Sequence, residues 1–256
     1  MEGKIITADQ YFEALEGVLK KIRSTQSEHI KKAARAMADS IAQGGVVHVF
    51  GSGHSVIPVL DIFPRYGSYP GFHPLLDPRL MWFNVIGPGG VKELLWLERQ
   101  EGYAQVLLKS HNLKDKDVML VFSHGGVNAA PVEVAREAKK AGLFVVGVAS
   151  MENQSKALLT HRGKRLCDIA DITIDNCVPL EDALVKINGL QEPVAAGSTV
   201  AVVAIAMALV AEVAKIMVEK GVPLNVFVSP NVKGIPKNHN EEVFEAYMKM
   251  MHEHGG

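Results

Sequence analysis

Short, unbroken runs of apolar residues recur along the chain, and two of them lead directly into loops of glycine and small polar residues. Residues 46–50 are followed by loop 51–55, and residues 118–122 by loop 123–128. Runs of this length without polar alternation are typical of buried parallel strands. A helical pattern at 129–141 and another apolar run at 143–148 come after the second loop. The pattern predicts an α/β parallel sheet with both loops at the carboxyl edge of the strands.

The remaining periodicity predicts helices on either side of this sheet. Two helical patterns precede residue 44, and the first begins at a possible capping box, Thr7-Ala8-Asp9-Gln10. Further strands are predicted at 80–86, 168–176 and 224–228, and a terminal helix at 241–252. We therefore divide the chain into N-terminal helices at 1–44 that pack on the core or on a partner subunit, a core domain at 45–235, and a C-terminal helix and tail at 236–256.

One segment is apolar on every side. Residues 200–211 carry no polar side chain and lie inside a longer apolar run at 194–218. The uncharged part is shorter than the roughly 20 residues that cross a bilayer, and Glu212 and Lys215 interrupt the rest of the run. We expect a buried helix with no membrane role. A single sheet face cannot cover such a helix, so we place it centrally or at a subunit interface and expect a homodimer or homotetramer.

Length, composition and charge limit the classes of partner that the chain is expected to bind. The 256 residues, 48% of them hydrophobic, suffice for one sizeable α/β domain. With 27 basic and 28 acidic residues the formal net charge is −1, which gives no electrostatic footprint for nucleic acid or an acidic membrane. The basic residues before residue 44 form no recognition helix. Any bound anion would therefore be held by local geometry.

The cysteines and histidines argue against a metal. Cys167 and Cys177 are the two cysteines, and neither they nor the His, Asp and Glu residues show metal-type spacing. We expect no metal and no cofactor, and we expect His252 and His254 to be disordered. Without an apolar signal region after the first residues, the expected location is cytoplasmic, with both thiols reduced.

The polar loops are suited to binding an anion. Glycine lets backbone approach a ligand closely, and a helix that begins after such a turn presents unpaired N–H groups and the positive end of its dipole. Ser55 and Ser123 lie at these turns, and Ser198 and Thr199 begin the long apolar helix. All four residues could also serve as plain helix N-caps. The residues alone leave both interpretations open.

With these loops placed, the chain resembles the sugar isomerase (SIS) domain family. The family pattern is Gly-x-Gly-x-Ser after the first strand, then Ser-x-Ser-Gly-x-Thr, and then a helix ending in Ala-Lys-x-x-Gly. The resemblance covers roughly residues 30 to 230. The matching positions are Gly51, Gly53 and Ser55, then Ser123, Gly126 and Asn128, then residues 138–142.

Several further segments resemble the single-domain subgroup described as phosphosugar-binding or phosphoheptose-isomerase-like. These are residues 53–55, 98–99, 175–176, 182–183 and 198–200. The chain is also similar to N-acetylmuramic acid 6-phosphate etherase, which has the same domain. The resemblance implies a three-layer sandwich with a five-stranded, mainly parallel sheet of flavodoxin-like type, an N-terminal helical extension, a sugar phosphate ligand and dimerisation.

Two positions depart from the family pattern. Gly125 replaces the second loop serine, so it supplies an N–H but no hydroxyl, and Asn128 replaces the closing threonine. Phosphate affinity would then be weaker or partly supplied by His124. The resemblance assigns ligand binding to this set of residues: Gly53, Ser55, Ser123, His124, Gly125, Gly126, Asn128, Ser198 and Thr199.

Isomerising an aldose to a ketose needs a base beside the carbonyl and a donor for the enediolate, and ether elimination needs the same first step. Glu98 and Asp61 are the candidate bases, and His54 is a candidate acid or base for ring opening. Each has a simpler interpretation: Asp61 pairs with Arg65 four residues on, Glu98 lies beside Arg99 on a charged helix, and His54 only contacts ligand. In an oligomer His239 could complete a neighbour's site, or it is a surface histidine.

The sequence leaves three functions open. The first is an aldose–ketose sugar-phosphate isomerase that acts through an enediolate. The second is a non-catalytic module that senses a phosphosugar. The third is a lyase similar to the etherase, which would share the base and the pocket. The sugar itself is not specified.

Overall fold

The computed structural model describes residues 7–255. Its elements run in chain order as α1 Thr7–Thr25, α2 Ser27–Ala42, β1 Val47–Gly51, α3 Val56–Ile62, β2 Phe72–Leu75, α4 Val91–Leu97, α5 Tyr103–Leu108, β3 Val118–Phe122, α6 Ala129–Lys140, β4 Phe144–Ala149, α7 Met151–Lys156, β5 Ile172–Asp175, β6 Ala183–Val185, β7 Val194–Ala196, α8 Ser198–Glu219 and α9 His239–His254.

The sheet is parallel throughout its five strands, in the order β2-β1-β3-β4-β5. In the central pair Val47 lies opposite Val118 and Gly51 opposite Phe122, so β1 and β3 end side by side. This order is that of flavodoxin-like folds, whose ligand crevice lies between the first and third strands. The predicted α/β class and five-stranded parallel sheet are confirmed. A separate two-stranded hairpin of β6 and β7 precedes α8.

Alternate side chains of the strands supply the two halves of the core. Val49 and Leu120 point to the face covered by α1, α2, α3 and α8, whereas Phe50 and Val121 point to the face covered by α5 and α6. Because both faces are covered, the strands are buried along their length, as their unbroken apolar runs predict. The carboxyl edge is left as the place where a ligand can reach the sheet.

Helix α8 is long and apolar enough to cross a membrane by length and composition alone, but half of its most apolar stretch is buried inside the fold. It packs on α2 and α3, and Ala201, Ile205 and Leu209 lie fully in the core. A core helix of a globular domain passes the same compositional test, which agrees with the predicted buried helix.

Two predicted strands are wrong. Residues 80–86 form a short turn and a loop in which Phe83, Val85 and Ile86 are exposed, and the place beside β1 is taken by β2 instead. Residues 224–228 are irregular: Phe227 exchanges backbone hydrogen bonds with Gly67 and Ser68, so this segment is paired with a loop and not with the sheet. The apolar composition of both segments favours a strand, but whether a segment joins the sheet depends on its tertiary contacts.

The C-terminal helix also differs from expectation. His254, predicted to be disordered, is 1% exposed and ends α9 against the sheet. Helices α1 and α2 occupy most of segment 1–44, of which residues 1–6 lie outside the described range. The three-part division of the chain stays a prediction.

Candidate functional site

A cleft of about 270 Å³ opens at the carboxyl ends of β1 and β3. Most residues that the sequence singled out line it, although they come from segments far apart in the chain. The predicted residues that the structure brings to this cleft are Gly53, His54, Ser55, Glu98, Ser123, His124, Gly125, Asn128, Ser198 and Thr199.

Two glycines shape the turn at the end of β1, one for lack of space and one for its backbone conformation. A Cβ on Gly51 would overlap the carbonyl of Ser55, and Gly53 has a φ of +58°, a conformation that glycine adopts without strain. The turn carries Ser55 to the start of α3, where its hydroxyl makes no capping hydrogen bond. That hydroxyl therefore remains available to a ligand in the cleft.

An internal hydrogen bond fixes the conformation of the loop after β3. The N–H of Gly126 donates to the hydroxyl of Ser123 at 3.0 Å, and Gly126 has a φ of +60°. Within residues 7–255 no backbone acceptor receives a hydrogen bond from the N–H groups of His124 and Gly125. Successive N–H groups in such a turn form a concavity suited to an anion.

Glu98 lies at the end of α4 with its side chain turned into the protein, and the residue is 7% exposed. Its two carboxylate oxygens have separate donors: the Ser52 hydroxyl donates to Oε2 at 3.0 Å, and the Asn128 amide donates to Oε1 at 2.8 Å. Its backbone carbonyl also accepts from Ala130 at the start of α6. The carboxylate is thus fixed to both cleft loops.

Burial raises the pKa of Glu98 above its ordinary value. The hydrogen bond from Ser52 and the charge of Arg99 act in the opposite direction but do not cancel the effect. A carboxylate with a raised pKa is a stronger base, and the donors from Ser52 and Asn128 stabilise its charged form. Glu98 therefore has the properties of a general base.

His124 is held between two amides. The Asn176 amide nitrogen lies 3.1 Å from its Nδ1 and that of Asn153 lies 3.0 Å from its Nε2. Because Asn176 Oδ1 already accepts from the N–H of Val178, its amide nitrogen is the group that faces the ring. Burial lowers the pKa of His124 despite the nearby charge of Asp182. Burial therefore favours the neutral ring, and the two amides fix its orientation.

A second carboxylate, Asp182, lies where α8 begins. It accepts from the N–H of Ser198 at 2.7 Å and from the Ser198 hydroxyl at 2.7 Å, and it has a left-handed φ of +62°. A carboxylate is favoured at a helix N-terminus and opposes a second anion there. Ser198 thus donates its hydroxyl to Asp182 and does not offer that proton to a ligand.

His54 stands at the mouth of the cleft. Its ring packs against the Trp82 indole, with 4.4 Å between centroids, and the residue is exposed to solvent. Trp82 belongs to the loop that was predicted to be a strand. The pair forms an aromatic wall over the loop after β1.

Three predicted site residues lie elsewhere. Asp61 is absent from the cleft lining, and its carboxylate pairs with Arg65, the simpler of its two interpretations. Gly126 lies behind the loop against Gln154 and shapes the turn without lining the cleft. His239 begins α9, where its Nε2 lies 2.7 Å from the Val226 carbonyl.

Sequence reasoning missed Ser52, Trp82 and Asp182 as site residues. Ser52 sits inside the first glycine loop, where its position between two glycines was the available signal. Asp182 entered only through its family resemblance, and its capping of Ser198 spans 16 positions. Trp82 was assigned to a strand, which concealed its role beside His54.

Comparison with known proteins identifies the family of the chain. The SIS domain model matches residues 10–150, and the chain belongs to the SIS domain family. Over 95% of its length it is 36% identical to a UPF0309 protein of Caldanaerobacter subterraneus subsp. tengcongensis, covering 98% of that protein. It is 35% identical over 94% of its length to a UPF0309 protein of Thermoanaerobacter pseudethanolicus, covering 97% of it.

Two solved structures share the fold. A phosphoheptose isomerase from Neisseria gonorrhoeae superimposes with a TM-score of 0.55 at 13% identity, over 81% of this chain and 96% of that one. A phosphoheptose isomerase from Francisella tularensis gives a TM-score of 0.51 at 18% identity, over 81% and 96%. At these identities the likeness establishes the three-layer architecture alone.

Proposed function

We propose that this protein binds a sugar phosphate in the cleft and interconverts its aldose and ketose forms through an enediolate, with Glu98 as the base. The observation that carries the proposal is a buried carboxylate with a raised pKa, held by Ser52 and Asn128 beside two loops suited to an anion. The family and the isomerases that share the fold support the same reaction class.

The phosphate end of the ligand is assigned to the two loops. Ser55 offers an unengaged hydroxyl, and His124 and Gly125 offer backbone N–H groups. Asp182 opposes a phosphate at the start of α8, so the sugar, with its neutral hydroxyls, extends toward Asp182 and Thr199. A carboxylate accepts hydrogen bonds from sugar hydroxyls, which gives the ligand one orientation.

The chemical step depends on this orientation. In the open-chain sugar, Glu98 removes the proton from the carbon beside the carbonyl and returns it to the former carbonyl carbon, while the proton of the adjacent hydroxyl passes to the former carbonyl oxygen. The electron pair of the broken C–H bond moves into the enediolate. The hydroxyls of the cleft supply donors to the enediolate oxygens, and His54 at the mouth is placed for ring opening.

A ligand screen tests binding. Thermal unfolding is measured with a panel of sugar phosphates and with the same sugars unphosphorylated. A phosphate present at about 100 times its dissociation constant should stabilise the fold by about 2.7 kcal/mol, and the free sugar should not. If free sugars raise the melting temperature as much as their phosphates, the anion-binding assignment is wrong.

Variants locate the binding. Ser55→Ala should remove most of the shift, because its hydroxyl makes no capping bond in the fold, and Ser123→Ala should deepen the loss. Ser110→Ala, at an exposed position, is the matched control. A ligand that binds without any turnover would favour the sensing module, and release of an ether substituent would favour the lyase.

A further inference from the structure

A second polar cluster lies at the opposite edge of the sheet from the cleft. His48 in β1, Asp117 just before β3 and His254 at the end of α9 are 2%, 1% and 1% exposed. Asp117 and Ser123 in the cleft lie at opposite ends of the five-residue strand β3, six residue steps apart, a span of about 20 Å at ~3.3 Å per residue. The cluster therefore takes no part in the chemistry proposed for Glu98.

The donor atoms of these three residues converge. His48 Nε2 lies 3.2 Å from Asp117 Oδ2, and His254 Nε2 lies 2.8 Å from the same oxygen. One ligand atom from each residue falls within 4.8 Å of the other two. Zinc bound at 2.0–2.1 Å in a tetrahedron places neighbouring ligand atoms about 3.3 Å apart. The two imidazole–carboxylate separations are close to this spacing, and the two imidazole nitrogens lie within 4.8 Å of each other.

The carboxylate is held in place by backbone. The N–H of Val46 donates to Asp117 Oδ1 at 3.0 Å and the N–H of Lys114 donates to Oδ2 at 2.8 Å. Such outer partners fix the orientation of metal-binding carboxylates. His48, by contrast, has a buried Nδ1 without a partner among the described residues. Among the described residues, only Nε2 of this buried ring has a hydrogen-bond partner, whereas buried polar atoms are usually all paired.

The surroundings are rich in imidazole. The ring of His73 lies edge-on to that of His48, 5.7 Å between centroids, and the ring of His111 lies 6.1 Å from that of His73. The Tyr247 hydroxyl lies 2.6 Å from Nδ1 of His73, which orients the His73 ring.

We propose that His48, Asp117 and His254 form a binding site for a divalent late first-row transition-metal ion, with zinc the expected occupant. Two imidazoles and one carboxylate are donors that zinc accepts, and three protein ligands leave a position open for water. The ion would offset the buried charge of Asp117 and join the last turn of α9 to the edge of the sheet.

The test uses Zn²⁺ on the whole chain, without a histidine tag. Protein stripped with a chelator is incubated with excess Zn²⁺ and dialysed against metal-free buffer, and bound zinc is then measured by mass spectrometry. We expect one zinc per chain in the wild type and close to none in His254→Asn or Asp117→Asn. His252→Asn is the matched control, because His252 lies in the same turn of α9 but is exposed; it should retain one zinc.

Co²⁺ provides a measurement that needs no variant. In the stripped wild type, Co²⁺ should give visible d–d bands several times more intense than those of the aqueous ion, as four- or five-coordinate sites do, and Zn²⁺ should displace them. The proposal is overturned if the wild type retains no zinc and gives no such bands, which would leave the three residues as a hydrogen-bonded lock. Zinc retained by folded His254→Asn, or lost equally from His252→Asn, overturns it as well.

Discussion

The Ser52 hydroxyl donates a hydrogen bond of 3.0 Å to the Glu98 carboxylate across 46 positions of sequence. This contact joins the first glycine loop to the end of α4 and ties the orientation of the candidate base to the loop that would hold the phosphate. Because the bond stabilises the charged form, it lowers the pKa of Glu98 and partly offsets the effect of burial.

Ser52→Ala should move the acidic limb of kcat/KM to higher pH. Loss of the hydroxyl removes a bond that lowers the pKa of Glu98, while burial, which raises it, remains. The base is then protonated over a wider range of pH, so activity is lost earlier on acidification. Initial rates across pH measure the shift, and a limb that stays in place or moves to lower pH would contradict the role of Ser52.

Glu98→Gln should stabilise the fold, and more so as pH rises. The folded state raises the pKa of Glu98, so the wild type is most favoured below the unfolded value, near pH 4 to 5, and is progressively penalised as pH rises through the folded value. Glutamine does not titrate. Urea unfolding of both proteins at about pH 4 and pH 8 checks this, and a difference that shrinks with pH would contradict the sign.

Substitution of the two neighbouring glycines of the second loop should have different effects: at Gly125 it should strengthen ligand binding, and at Gly126 it should destabilise the fold. A Cβ on Gly125 would meet only Val127 at 3.4 Å, so Gly125→Ser should fold normally and bind sugar phosphate more tightly through the added hydroxyl. A Cβ on Gly126 would overlap the Gln154 side chain at a left-handed φ, and Gly126→Ala should cost at least about 1–3 kcal/mol. Calorimetric titration and thermal unfolding measure the pair; unchanged stability of Gly126→Ala would count against this loop geometry.

A homodimer or larger assembly is also predicted. An apolar groove between α1, α2 and α8 is lined by Ile22, Ile30 and Ala208, and Val218 on α8 is 69% exposed. Light scattering at micromolar concentration should give at least twice the mass of the chain. Ala208→Glu should weaken the assembly, whereas Val106→Glu, at an exposed position of α5, should not. A stable wild-type monomer would contradict the prediction.

Local pattern was sufficient for the strands that carry the cleft. The apolar runs ending at Phe50 and Phe122 predict β1 and β3 and place their loops at one edge, because the sheet is parallel. It was insufficient for β2, a four-residue strand that contains His73 and Pro74 and has a weaker β pattern than the loop at 80–86. Which of two apolar segments pairs with β1 is decided by packing and not by propensity.

Contacts distant in sequence were beyond prediction. The capping of Ser198 by Asp182 depends on the β6–β7 hairpin. The i+4 spacing of Arg65 indicated a possible pair with Asp61, but it could not decide between that pair and the cleft. The cluster of His48, Asp117 and His254 joins positions 69 and 137 apart. Metal-type spacing in the sequence cannot reveal such a group, which is why no metal site was expected.

Solvent-deuterium exchange tests the central claim most directly. With the sugar phosphate found by the thermal screen, wild type in D₂O should incorporate deuterium at the carbon beside the carbonyl, as measured by NMR. Glu98→Gln should lower the rate by about 10²-fold or more with binding nearly unchanged, and Asp61→Asn should exchange like the wild type. No exchange by the wild type with any bound sugar phosphate, or exchange that survives Glu98→Gln, would contradict the assignment of Glu98 as the base.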